Sequence, residues 1–200
     1  MLALSTVCAD ADWPLDRVVA SFRDLGLRAV ALHRPALEAE ARRLAAFAKR
    51  VSVVAVFGEE PGANVGTPIL VVEGGPAAED REASLEDLCR RLHALRDWRV
   101  ALRTPPAPDH HPAPGEIALV SEALAHVGYW HDADRGGEAY LEVAAGALRG
   151  ASFDPLADLD LAGLRDALPR RAPTVVACAP GAAKDEVTEA LRCARGIFLD

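Results

Sequence analysis

Ionisable side chains recur in this chain at one kind of place, the point where a short apolar run gives out. RAVALH ends in His33 and is followed by Arg34. ILVVEGG carries Glu73, WRVALR ends in Arg103, and VGYWHDADR carries His131, Asp132 and Arg135. GASFD ends in Asp154. Cys8, Asp10, Glu59, Glu60 and Cys178 fall at comparable boundaries. His33, Glu73, His131, Asp132 and Asp154 are nitrogen and oxygen donors of the sort a divalent ion takes. Glu73 and Asp132 are also the carboxylates that can exchange protons with a carbon acid. Arg34, Arg103 and Arg135, brought to one place, suit a phosphate or a carboxylate group. Polar residues also end buried strands simply because the chain reaches water there, so residue type alone leaves both readings open.

The elements that must position these residues are legible from two alternating periods. Segments 1–8, 28–33, 51–57, 67–75, 98–103, 127–131, 150–154 and 173–178 are short apolar runs, several rich in β-branched residues. They read as strands, and their lack of clean alternation predicts a parallel sheet buried on both faces. Between them lie helical patterns. Pro14 opens one that Gly26 stops, and another carries Leu37, Ala41, Leu44 and Ala48 after Pro35. Ser84 and Asp87 read as a capping box over Leu85, Leu88, Leu92 and Leu95. Further helices are predicted from about Glu116 to Ala125, over 136–149, after Asp160, and over 183–195.

GEEPGANVGTP, between strands three and four, is too rich in Gly and Pro for a full helix. TPPAPDHHPAPGE reads as an extended, solvated loop, in which the adjacent His110 and His111 need not converge on one ion. His93 and His126 lie near helix ends and need no further role.

Eight strand-then-helix units in 200 residues predict an α/β fold, a compact (β/α)8 TIM barrel over residues 1–200 as one domain. Its third helix is reduced or absent. An open doubly wound sheet is the rival, but no GxGxxG turn follows any strand. In such a barrel the chemistry sits where strands end, which is where the residues above fall. The reduced third helix would leave barrel wall uncovered, and a homodimer would cover it.

Composition narrows the function classes. The formal charge is −8 with 22 basic residues scattered among 30 acidic ones, which argues against nucleic acid as a partner. No run approaches the ~18 apolar residues of a membrane span. Cys8, Cys89, Cys178 and Cys193 form no CxxC pair, as expected of buried thiols in a reducing, cytoplasmic compartment. As ends of the first and last strands, Cys8 and Cys178 should lie near each other.

LGLRAVAL, VVEGG, VALRTPP, VGYWHDADR and VVACAPG, spread over most of the chain, resemble the corresponding strands of the xylose isomerase-like TIM barrel superfamily, which holds sugar phosphate isomerases and epimerases. That resemblance implies a divalent metal held at the strand ends and carboxylates that move substrate protons. Residue by residue, most of the implied ligands are replaced. Ala31 stands where strand two has a Glu, Glu73 where strand four has a His, and Arg103 where strand five has a Glu. Arg135 replaces a His and Ala177 a Glu, while Asp132 is kept. One carboxylate does not hold a hard cation strongly, and Arg103 puts a fixed charge where the cation would sit. The metal is therefore left open.

Two expectations follow. The first is a sugar phosphate isomerase or epimerase-like protein. It would transfer a proton next to a carbonyl with Glu73 and Asp132, and hold a sugar or sugar phosphate with His33, Arg34, Arg103, His131, Arg135 and Asp154. The second is a degenerate barrel that binds a small anionic or polyol ligand, or a partner protein, without turnover.

Overall fold

Parallel pairing runs unbroken around the sheet. A computed structural model describes residues 1–8, 15–33, 51–58, 67–144, 146–179 and 182–198. Its strands are β1 (Leu2–Ser5), β2 (Ala29–Leu32), β3 (Ser52–Phe57), β4 (Ile69–Val72), β5 (Arg99–Arg103), β6 (Val127–Asp132), β7 (Leu148–Phe153) and β8 (Thr174–Val176). Each pairs in parallel with the next, and β8 pairs with β1 through Ala3↔Val175, so the sheet is a closed eight-stranded barrel. The barrel fold read from the strand count is what the chain adopts; the open sheet is excluded.

Helices α1 (Leu15–Asp24), α2 (Arg81–Ala94), α3 (Pro114–Ala123), α4 (Glu138–Val143), α5 (Leu161–Ala167) and α6 (Lys184–Phe198) are interleaved with the strands. The patterns over 37–48 and 59–66, including the reduced third helix, lie outside the described residues.

Period-2 alternation sorts each strand into two faces. Ala3, Ala29, Ala31, Ile69, Val71, Ala101, Trp130 and Val175 pack with one another inside the barrel. Leu4, Val30, Leu32, Val53, Val56, Leu70 and Val176 face outward, where Val187, Leu191 and Ala194 of α6 and Leu161 and Leu164 of α5 join them. Leu88 and Leu92 of α2 pack on Val100, Leu102 and Val127. Each such side chain contributes roughly 1.5–3 kcal/mol on leaving water.

The interior is mostly small residues, and one large one fills it. Trp130 is fully buried, meets the Phe57 ring edge-on at 5.3 Å, and donates its indole N–H to Ser152 Oγ at 3.0 Å. Gly150 makes that possible, because a Cβ there would lie 2.5 Å from Trp130 Cζ3.

Three sequence expectations are corrected. The cap of α2 is Asp80, whose carboxylate accepts from Ala83 N–H at 3.0 Å. Ser84 lies inside the helix, so the apolar positions tracked the helix but the cap was placed four residues late. The helix expected over 136–149 is only Glu138–Val143, and Leu148 already belongs to β7, packed outward with Tyr129 and Ile117.

The segment between β5 and α3 is not a solvated loop, since His111 is only 1% exposed. Its Nδ1 meets Glu116 Oε2 at 2.8 Å and its Nε2 meets Ser84 Oγ at 2.8 Å. Arg81 Nε donates to Glu116 Oε1 at 2.6 Å, and His110 bridges Pro76. Gly74 lets the two loops touch, because any Cβ there would overlap the His111 carbonyl.

Candidate functional site

The C-terminal ends of the strands converge on a net of four charges. Arg103, the last residue of β5, faces into the mouth with its guanidinium carbon 5.2 Å from the centre of the Phe57 ring. Its Nε donates to Asp132 Oδ2 at 2.8 Å, its NH2 donates to the same oxygen, and its NH1 donates to Glu73 Oε1 at 3.2 Å. Arg135, in the 3-10 turn Ala133–Arg135 after β6, closes the ring. Its NH1 donates to Glu73 Oε2 at 2.9 Å and to the Thr104 carbonyl at 2.8 Å, and its Nε lies 3.4 Å from Asp132 Oδ2.

Burial divides the two carboxylates. The Asp132 side chain is 3% exposed and that of Glu73 is 45% exposed, with Arg103 and Arg135 between them at 20% and 24%. Asp132 is fixed from its backbone as well, because its N–H donates to Thr104 Oγ1 at 2.8 Å, and that hydroxyl bonds Tyr129 OH at 2.6 Å. Asp132 is thus an anchor for two guanidiniums, and Glu73 is their solvent-side counter-ion.

His33 stands beside them. Its ring stacks on Phe57 at 3.8 Å with 14° between planes, its Nδ1 meets Ser5 Oγ at 2.6 Å, and its N–H donates to Thr6 Oγ1. Burial, with Arg103 and Arg135 adding to it, brings its pKa down to about 4. At neutral pH it is an uncharged imidazole that can donate one hydrogen bond and accept another.

The remaining expected residues go elsewhere. His131 precedes Asp132, so it takes the opposite face of β6. It lies buried on the outer wall, its Nδ1 3.3 Å from Tyr129 OH, lining a cavity of about 410 Å³ with Leu141, Leu159 and Leu161. Burial lowers its pKa to about 4. Asp154 closes its own turn, accepting from Leu156 N–H at 2.9 Å, while its N–H donates to Asp134 Oδ1. Burial raises the Asp134 carboxyl. Arg34 lies outside the described residues. The mouth therefore gathers Glu73, Arg103, Asp132, Arg135 and His33, and it leaves His131 and Asp154 out of that net.

Sequence reasoning missed Ser5, Phe57 and Thr104, which orient the charged residues. All three end or directly follow strands and could have been found by that rule. It also missed the buried Ser84–His111–Glu116 line. That line has the hydrogen-bond order of a nucleophilic triad, yet Ser84 Oγ also accepts from Ala78 N–H at 3.3 Å and lies 3.0 Å from the Arg81 carbonyl, so its bonding capacity is used. Glu116 is likewise engaged. Burial pushes its carboxyl up, but hydrogen bonds from Arg81, His111 and Ala113 N–H pull it below its ordinary range. This cluster pins the β5–α3 segment against α2.

Cys8 and Cys178 do lie together, with Cys178 N–H donating to Cys8 Sγ at 3.1 Å. Hydrogen bonding between the two lowers the Cys8 thiol and pushes that of Cys178 up; both are free and buried.

A divalent metal does not fit the mouth as it stands. Two guanidiniums already take Asp132 Oδ2 and both Glu73 oxygens, and a cation there would meet two fixed positive charges. Among the described residues no three His, Cys, Asp or Glu side chains come together as a metal-ligand set. Nor is a helix among them long and apolar enough to cross a membrane.

Comparison with known proteins places the fold and stops there. No family model and no curated protein sequence matches the chain. Among solved structures, the protein SMc04130 from Sinorhizobium meliloti 1021 is similar, with a TM-score of 0.70 and 15% identity over 98% of both chains. An archaeal fructose 1,6-bisphosphate aldolase gives a TM-score of 0.54 at 15% identity, over 100% of this chain and 94% of that one. A Schiff base-forming fructose-1,6-bisphosphate aldolase gives 0.51 at 15% identity. Schiff-base chemistry needs a lysine amine. The two lysines here are Lys184, on α6, and Lys49, outside the described residues, so no described strand carries one.

Proposed function

We propose that the mouth binds a small anionic sugar-like molecule, a sugar phosphate or sugar acid, through Arg103 and Arg135, in a barrel of the xylose isomerase-like type that works without a resident metal. The observation that carries this reading is the asymmetry of the charge net. One carboxylate, Asp132, is buried and holds both guanidiniums in place. The other, Glu73, is half-exposed and bound one oxygen to each arginine. An incoming phosphate or carboxylate can take the position of Glu73 and receive the same N–H donors, at little cost because an exposed ion pair is worth about 0–1 kcal/mol. The neutral His33, oriented by the Ser5 hydroxyl at Nδ1, offers its other ring nitrogen to a polyol hydroxyl.

A second reading keeps the proton chemistry. Glu73, once released from the arginines, is the carboxylate at the rim that can reach a carbon acid next to a carbonyl. Asp132 is held apart from this chemistry, because its Oδ2 is bound by Arg103 and its side chain is buried.

Calorimetric titration with ribulose 5-phosphate, fructose 6-phosphate and gluconate tests the first reading, and proton NMR in D2O on the same mixtures tests the second. Binding that survives in Arg135→Ala, or no binding of any of the three, overturns the first. Deuterium exchange next to the carbonyl, abolished in Glu73→Gln, establishes the second, and its absence while binding persists leaves a binder.

A further inference from the structure

The opposite end of the barrel carries a cavity of about 620 Å³, lined at the strand starts by Ser52, Ile69, Arg99, Leu148 and Pro173. It is separated from the mouth by Trp130, which plugs the interior. We propose that this basin is a second binding site, for a small organic phosphate whose charged group lies among Arg99, Arg149 and Arg171 and whose body rests on Val54 and Ile69. It is independent of the reading of the mouth.

Charge is the first argument. Three arginines line the basin, and among the described residues no Asp or Glu lines it and none pairs with any of the three. In a chain of net charge −8 that is an unusual concentration of unpartnered positive charge. Stability alone gives no reason for it, since like charges around one cavity repel and a bound anion removes the repulsion.

Construction is the second. The pairing of β6 with β7 jumps from Tyr129↔Leu148 to Trp130↔Gly150, so Arg149 is the extra residue of a bulge, a device that re-aims a side chain at a barrel rim. Gly128 receives it, because a Cβ there would lie 2.5 Å from Arg149 Cγ and 2.7 Å from its Nε. The pairing of β2 with β3 slips in the same way, from Val30↔Val53 to Ala31↔Ala55, and the extra residue, Val54, lines the same basin. Two of the barrel's register shifts thus serve one cavity, which has the volume of a small-molecule site. Arginine donors suit phosphate oxygens, and the apolar floor of Val54 and Ile69 suits a small organic body.

Titration calorimetry of the intact protein with phenyl phosphate and with inorganic pyrophosphate tests this. Phenyl phosphate should bind, more weakly at high salt. Arg149→Ala and Arg171→Ala should each weaken it about tenfold or more, and Arg103→Ala should change it less than about twofold. Thr67→Glu, which places a carboxylate at the exposed rim of the basin without removing any packing, should abolish binding. A cooperative unfolding transition above the titration temperature confirms that each variant folds, with Arg103→Ala, which loses its pair with Asp132, melting below the others. Failure of both probes to bind at millimolar concentration overturns the proposal, as does binding that Thr67→Glu leaves intact or that Arg103→Ala alone removes.

Discussion

Arg103→Met isolates the interaction on which the mouth depends. The substitution keeps an unbranched stem over Phe57 and removes the guanidinium that supplies two N–H donors to Asp132 Oδ2. With a side chain 3% exposed, Asp132 has little water to turn to, and removing one partner of a buried pair costs about 3–5 kcal/mol. Arg135, with its Nε 3.4 Å from the same oxygen, offsets part of that. Loss of the Glu73 contact adds little, because that carboxylate is 45% exposed. The expected loss is therefore about 3 kcal/mol. Asp132→Asn, which leaves a partly solvated guanidinium, should lose less, about 1–2 kcal/mol. The double variant should fall short of the sum by about 2 kcal/mol, since the second change removes the charge the first one strands. Urea unfolding at pH 7 of the four proteins, with the slope checked for constancy, measures each number. If Arg103→Met loses under about 1 kcal/mol, or the two changes simply add, Asp132 is not a buried anchor and the account of the mouth fails.

Four further outcomes are expected. His33 and His131 both titrate at about 4 in the folded chain against an ordinary 6.5. The unfolded chain therefore binds more protons between those values, and stability is full above pH 6.5 and falls as pH drops toward 4, by up to roughly 3 kcal/mol for each histidine. Unfolding midpoints from pH 7 to 4 measure it, and an unchanged slope in His131→Phe would remove that residue from the account. Gly150→Ala drives a methyl to 2.5 Å from Trp130 Cζ3 and 2.8 Å from the Pro173 carbonyl, and should destabilise by about 1–3 kcal/mol or more, read as a lower Tm. Glu116→Ala removes the acceptor shared by Arg81, His111 and Ala113 N–H and should cost about 3 kcal/mol, with faster amide exchange over 105–113. Ser84 should stay unlabelled by a fluorophosphonate, and labelling would show its hydroxyl to be a free nucleophile after all.

Much of the fold was legible in the sequence because it is written in local signals. Short apolar runs at regular spacing marked the strands, and Gly26 and Asp160 marked a helix end and a helix start as they stand in the structure. Strand parity, a local property that residue type alone overlooks, separates neighbours that cannot share a face. His33 lies two residues past Ala31 and points into the mouth with it, whereas His131 and Asp132 are adjacent and cannot both do so. The errors came where local chemistry misleads. TPPAPDHHPAPGE looks solvated by composition, yet Gly74 and Ser84, far away in sequence, provide the surface that buries His111. Leu148 looked helical because strand and helix positions are alike over a few apolar residues.

The sequence by itself determined that eight strands would form and that charged residues would gather near their C-terminal ends. Closure of the sheet decided the rest. Bending eight strands into one ring brings Glu73, Arg103, Asp132 and Arg135 within hydrogen-bond reach across 62 residues of chain, and fixes which oxygen each guanidinium takes. The bulge that turns Arg149 toward the barrel base likewise exists only as a mismatch between two paired strands. Distances of a few ångströms between residues remote in sequence are set by packing, and packing is a property of the whole core rather than of any segment.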